Sequence, residues 1–340
     1  MTNATAAAAT ESRWSRSSAP LPPPSAPTPL PPASMPTVPT ANSTRGDLPP
    51  LSPRLQFARV ALIIVFIVSI TLFLQLLFIG SLQQSSAQER AFDKFRSQLA
   101  NGVAPIGPTT TTRDEDGEET VRELPLGAPV AYIEIPEIGL RQVVGEGSTS
   151  SVLFSGPGHR RDTPLPGQAG TSVIMARKAA FGGPFSSINE LEAGDEIIAT
   201  TGQGVFTYEV IGVRREGDPV PPPPEAGSSR LLLATADGRA FMPDGILRVD
   251  AAIVGDAAVG PARLTTAAAL PGSEQFMGAD TSTVVVLVLW LQALIGLSVG
   301  AIWAWHRWGH AQAWIVFFPP LLLVGLATSG EVARLLPNLL

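Results

Sequence analysis

Between Ala128 and about Gly255 the chain is a succession of short apolar runs: VAYIEIP (130–136), SVIMA (172–176), EIIATT (196–201), VFTYEVIGV (205–213), RLLLATA (230–236) and ILRVDAAIV (246–254). Alternation of period two marks β-strands with one face toward a core, and the Gly and Pro between the runs mark turns. Many short strands so connected predict a sandwich or a closed barrel. Periodicity alone takes the reading no further.

Outward from this region the chain becomes a membrane sequence. VALIIVFIVSITLFLQLLFI (60–79) carries no charge and is long enough to cross a hydrocarbon layer of about 30 Å at roughly 1.5 Å per residue. Two further spans are expected near the other end, Val284 to about Trp305 and about Trp314 to Thr328, with Pro319 and Pro320 kinking or breaking the last. Arg45, Arg54 and Arg59 precede the first span, and the loop WHRWGH (305–310) joins the other two. The positive-inside rule therefore puts the N-terminus and this loop in the cytoplasm and the β-rich region outside. Trp303, Trp305, Trp308 and Trp314 are expected at the cytoplasmic interface. Gly296, Gly300 and Ala304 form a row of small residues on one helix face, a surface for close packing against another helix.

The domain plan expected is this: a Pro-rich cytoplasmic tail without order (1–56), a first transmembrane helix (57–82), a stalk helix and acidic linker (83–127), and the β-domain (128–256). A linker (257–281) then leads to the second transmembrane helix (282–305), a cytoplasmic loop (306–311), the third transmembrane helix (312–330) and a C-terminal tail (331–340). The tail 1–56 has too few large apolar residues to offset the entropy of ordering, and it serves as a tether or as a ligand for a Pro-binding module. Phe92, Phe95 and Leu99 share one face of the stalk.

Composition narrows the chemistry. The net charge is −6 and no basic run is interleaved with aromatics, so nucleic acid is not an expected partner. No cysteine exists, which removes disulfides, thiolate nucleophiles and thiolate metal sites together. Of three histidines, His306 and His310 lie between hydrophobic spans, so neither a metal site nor a cofactor is expected in the β-domain.

The order IEIPEIGL (133–140), VLFSGPGHRRDTPLPGQAGTSVIMA (152–176), FGGPFSSINELEAGDEIIATT (181–201), FTYEVIGV (206–213) and RLLLATA (230–236) resembles the sortases, most closely the actinobacterial class E type. The likeness covers some 130 of the 340 residues. It implies an eight-stranded β-barrel with a groove for an extended sorting peptide, and it implies transpeptidation by a cysteine thiolate, with a histidine in proton transfer and an arginine at the oxyanion. Where the family carries its histidine this chain has Arg177 followed by Lys178, and a guanidinium does not exchange protons near neutral pH. Where the family has Thr-Cys this chain has Thr235-Ala236, and a methyl group is no nucleophile. The family's arginine falls near Ile246, with Arg248 on the same strand face two residues on. Arg177, Lys178 and Arg248 are the residues that could hold an anionic ligand. His159, in GPGH, matches a structural position of the family, and PPPP (221–224) would stiffen a rim beside the groove.

The expectation is a catalytically dead sortase-like protein of the cell membrane whose barrel binds a peptide or an envelope protein. Its partners would be proteins of a cell-envelope or membrane complex, a sorting-type peptide or a true sortase. Two other readings stay open: a transpeptidase or peptidase using Thr235 or Lys178 in the same groove, and an auxiliary subunit of a membrane transport machine.

Overall fold

The computed structural model describes residues 52–113, 119–261 and 265–340. The expected Pro-rich tail lies outside them up to Leu51, as does the centre of the acidic stretch, 114–118.

The chain starts with a helical rod: α1 (Pro53–Leu74), a π-helical segment (Gln75–Ile79) and α2 (Gly80–Ala100) follow one another without a break. The first span and the stalk, expected as separate elements, are therefore one rod, because no Gly-Pro signal or charge interrupts the hydrogen-bond ladder at the change from apolar to amphipathic sequence. The π segment absorbs one extra residue per turn at that change.

A two-stranded hairpin comes next, β1 (Thr109–Arg113) paired with β2 (Glu119–Glu123), within the stretch expected to be an unstructured acidic linker. Threonine at positions 109–112 suits a strand, a local propensity that the charge of the region obscured.

The next eight strands close into a barrel: β3 (Pro129–Ile135), β4 (Leu140–Glu146), β5 (Gly158–His159), β6 (Gly170–Met175), β7 (Glu196–Thr201), β8 (Gly204–Arg214), β9 (Ser229–Arg239) and β10 (Met242–Val254). Their order around the barrel is β10-β8-β7-β3-β4-β5-β6-β9, with β4–β5 and β6–β9 parallel and the other pairs antiparallel. This is the mainly-β, closed eight-stranded barrel expected from the sequence. Val130, Ile133, Ile135, Ile174, Ile197, Leu231, Leu233, Leu247 and Val249 fill the interior, one alternate set from each strand. A short helix, α3 (Ser150–Leu153), lies between β4 and β5.

Among the described residues, three helices are long and apolar enough to cross a membrane: the rod, α4 (Val284–Arg307) and α5 (His310–Arg334). Pro319 and Pro320 sit inside α5, which continues through them, so the expected break does not occur. Gly325 of α5 meets α1 closely: a Cβ there would lie 2.9 Å from Cγ2 of Thr71. Trp303, Trp305, Trp308 and Trp314 are exposed near the α4–α5 turn, at the end of the bundle away from the barrel.

The rod also holds the barrel. The Gln88 side chain imitates a strand neighbour for β4: its Nε2 donates to Val143 O (3.1 Å) and its Oε1 accepts from Val143 N (2.7 Å). Phe95 is buried, and Phe92 packs on Tyr132 with ring centres 5.3 Å apart. At Gly80 a Cβ would come within 2.8 Å of the Phe181 ring, so only glycine lets the rod pass this loop.

Candidate functional site

The positions that carry the resemblance to a catalytic site meet on the outer face of β6, β9 and β10. Met175 pairs with Ala234, Ala236 with Ile246, and Ala234 with Arg248. Alternation divides these strands cleanly: Ile174, Leu231, Leu233 and Leu247 point into the barrel, while Val173, Met175, Leu232, Ala234, Ala236 and Ile246 form a second apolar cluster on the other face. Thr235 falls on the interior side with Leu233, and its Oγ1 donates to Ala176 O at 2.9 Å. Its hydroxyl is thus spent on the backbone and turned away from Ala236.

The second cluster is covered from three distant parts of the chain: Leu153 of α3, Phe276, and Leu339. Residues 331–340 are therefore not a free tail. Helix α5 runs on to Arg334, and the residues after it fold back over the groove in a turn, with Leu340 N donating to Pro337 O (3.1 Å). Leu339 is fully buried, and its carbonyl accepts the Lys178 N–H at 3.0 Å. Asn338, also fully buried, has every polar atom partnered. Its Oδ1 accepts from Ser150 Oγ (2.8 Å), its Nδ2 donates to Ser273 O (2.7 Å) and Gln275 O (2.9 Å), and its N–H donates to Gly278 O (2.9 Å). Within the stretch expected as a plain linker over 257–281, Ser273, Gln275 and Gly278 are thereby fixed. Glu274 of the same stretch is buried and bonded by Arg161, with Nε at 3.0 Å from Oε2. That contact and the neighbouring Glu123 raise the Arg161 pKa further, chiefly through the Glu274 hydrogen bond.

Arg177 follows β6 and is completely buried. Its Cζ lies 4.9 Å from the ring centre of Phe154 and 5.5 Å from that of Phe181, two rings stacked on each other at 4.0 Å. Nη1 makes one long bond, 3.5 Å to Leu340 O, and Nε and Nη2 have no hydrogen-bond partner among the described residues. Burial draws its pKa down to about 9. Phe181, with φ of 52°, is held in a left-handed conformation that a bulky residue rarely adopts, as the loop turns toward the rod.

Arg248 goes elsewhere. Its Cζ lies 5.5 Å from the Phe276 ring, against which Arg160 also packs at 5.1 Å. Burial first, then the neighbouring Arg214, lowers its pKa. Beside these residues is a cavity of about 370 Å³ lined by Arg160, Ile246, Leu270, Gln275, Phe276 and Met277. Arg177 and Arg248, expected with Lys178 as residues that could hold an anion, face different surroundings: Arg177 is sealed against Phe154 and Phe181, and Arg248 rests on the Phe276 ring. Pro221–Pro224 do not rim the groove either, because Arg230 Nη1 holds Pro222 O (2.6 Å) near the Ser229 end of β9, the end away from Ala236.

His159 is buried in β5, with Nδ1 at 2.9 Å from Glu146 Oε2 and Nε2 at 2.8 Å from Pro164 O. Both ring nitrogens are engaged in holding the β4–β5 corner. In the bundle, Gly300 faces α5, where a Cβ would lie 3.1 Å from the Phe317 ring, and Ala304 is buried. Gly296 has open space instead, so the row of small residues is used for part of its length.

The residues that reasoning from sequence did not reach are Asn338, Leu339, Phe276 and Ser150. None sits in a motif, and the chain's return from α5 brings Asn338 and Leu339 to Ser150 of α3 and to the segment before α4 that holds Phe276.

Residues 133–236 match the family model of the sortase domain, which spans β3 to Ala236 of β9. Sortase D of Bacillus subtilis (strain 168) is 31% identical over 85 residues, 25% of this chain and 41% of that protein, so less than half of the relative's length is matched. Among solved structures, a Clostridium perfringens Sortase D5 transpeptidase aligns at 22% identity and a TM-score of 0.38, covering 50% of this chain and 99% of that one. Sortase E from Streptomyces avermitilis aligns at 25% identity and a TM-score of 0.33, covering 39% and 91%.

Proposed function

We propose that this is a membrane-anchored pseudo-sortase: a binding or scaffolding subunit of a cell-envelope protein complex, with the barrel on the extracytoplasmic side and no transpeptidase activity. One observation carries the reading. At the place the resemblance gives to the nucleophile stands the methyl group of Ala236, 3% exposed and covered by Leu339. Acyl transfer needs an attacking atom, a base and an oxyanion donor in one open groove. Here the first is carbon, the second is the guanidinium of Arg177, and the groove is shut. Recognition of a polypeptide needs only pockets and backbone edges, which survive the loss of the nucleophile.

Transpeptidation through Thr235 has the geometry against it, since that hydroxyl faces the interior and is bonded to Ala176 O. The reading as a transport subunit draws on a cavity of about 440 Å³ between α1, α4 and α5, lined by Ile67, Thr71, Ser298, Trp305 and Phe317 among others. It requires the bundle rather than the barrel to make the partner contacts.

The test is affinity purification of the tagged full chain from its native envelope in mild detergent. We expect one reproducible set of envelope proteins, lost when the barrel surface is altered and kept when Gly296→Leu is introduced. Recovery of no reproducible partner contradicts the proposal.

A further inference from the structure

The groove over Ala236 is filled by a peptide with definite chemistry. The methyl of Ala236 lies in one buried apolar cluster with Met175, Ala234 and the fully buried Leu339 side chain, and Ile246 packs against it. The backbone is read at Lys178 N–H and, more weakly, by Arg177 Nη1. The three side-chain bonds of Asn338 need one acceptor and two donors, and the fourth bond is made by its backbone N–H. A carboxylate would set charge against the carbonyls of Ser273 and Gln275, and an aliphatic residue would take from Ser273 O its donor and from the Ser150 hydroxyl its shorter bond. Ser150 Oγ also lies 3.1 Å from Arg334 O, so the same hydroxyl joins the end of α5 to α3.

We propose that Leu336–Leu340 is a self-ligand of the groove, and that the groove is selective for a peptide turn carrying asparagine followed by a large aliphatic residue. This rests on the binding reading above and gives it a partner class: a client segment of the same chemistry that exchanges with the chain's own. Because the segment continues α5, exchange is controlled from the bundle. Lifting Leu339 requires the last turn of α5 to leave Ser150 and Phe181, and Ala333 packs in the same small cluster as Phe181 and Ala180.

The chain's lack of cysteine makes the test clean. Ala236→Cys places a single thiol beneath Leu339 in the full chain in lipid nanodiscs, and its rate of maleimide labelling reports whether the groove is open. Val205→Cys, at a site 66% exposed, sets the open rate. We expect the Ala236→Cys thiol to label at least about tenfold more slowly than that reference, and Leu339→Ser or Asn338→Ala in the same chain to remove most of the difference. The acetylated and amidated hexapeptide Leu-Leu-Pro-Asn-Leu-Leu should restore protection to the Leu339→Ser protein, and the same peptide with aspartate in place of asparagine should not. Labelling of Ala236→Cys as fast as the reference overturns the self-ligand, and failure of the hexapeptide to protect overturns the selectivity. A further arm avoids loosened variants: the pair Ala236→Cys and Leu339→Cys should oxidise to a disulfide within one chain, and two persistently free thiols count against the proposal. Labelling reads the groove alone, whereas loss of the envelope partners reads the scaffolding role, so the two readings fail separately.

Discussion

The two faces of β6, β9 and β10 are built from the same residues in alternation and yet are filled in different ways. Inside the barrel, Ile174, Leu231, Leu233 and Leu247 meet side chains from neighbouring strands, and each strand contributes by the same period-two rule. Outside, Met175, Ala234, Ala236 and Ile246 meet Leu153, Phe276 and Leu339, which come from a short helix, an irregular segment and the end of a membrane-spanning helix. The inner face defines the fold. The outer face, where a transpeptidase would need an open cleft, has become the seat on which the chain's own α5 end rests.

The comparison can be broken first at the inner face. Leu247→Asp sets an unpaired carboxylate in the sealed interior and should prevent folding, seen as loss of protease resistance and of the β-signal in circular dichroism. A folded Leu247→Asp barrel would mean that the interior is not the closed core described. At the outer face, Leu339→Ala removes a fully buried aliphatic group and should cost about 2–4 kcal/mol, measured by chemical unfolding in detergent. A cost near zero would show that the segment merely lies on the groove.

Arg177→Met should act in the opposite direction and stabilise the chain by about 1–2 kcal/mol at neutral pH, since the cost of burying the guanidinium outweighs its one long bond and its contacts with Phe154 and Phe181. The pH dependence has a definite sign. The folded-state pKa of Arg177, about 9, lies below the ordinary arginine value, so between these two the unfolded chain binds more protons than the folded one. Stability from this group therefore rises with pH above about 9, where the folded state sheds the buried charge, and below that the penalty is constant. The advantage of Arg177→Met should accordingly shrink as the pH is raised from 8 to 10. A loss of stability on Arg177→Met would indicate an anion held at Nε and Nη2. The smallest effect is expected in the bundle: Gly300→Leu, which meets Phe317, should lower stability by about 1 kcal/mol, and Gly296→Leu, which meets nothing, should leave it unchanged.

How much of this was legible in the sequence follows the same division. The barrel was, because alternation is local: VAYIEIP, EIIATT and RLLLATA each show their buried face within a few residues. The three apolar helices were too, since length and absence of charge suffice to find them. The order of motifs also gave the expectation that Ala236 and Arg177 stand where the resemblance puts a nucleophile and a base. The closure of the groove could not. Asn338 and Leu339 carry no periodic signal, and their partners Ser150 and Gln275 lie 188 and 63 positions away. The sealing of Arg177, expected as a residue that could hold an anion, was not legible either, because Phe154 comes from the end of α3 and Phe181 from a strained turn of another loop. The continuity of α5 through Pro319 and Pro320 was missed for a related reason: a local rule about proline was overridden by packing against α1 and α4, which crosses at Gly325 and Gly300.

The central claim is that a barrel with the sortase fold is kept here without the chemistry of transfer. Purified full chain, free of any transpeptidase, can be incubated with envelope polypeptides and an amine acceptor and the mixture examined by mass spectrometry for covalent adducts. The account predicts no polypeptide attached to the chain and none joined to the amine. A ligated product that forms with the native chain and disappears with Thr235→Ala would contradict it.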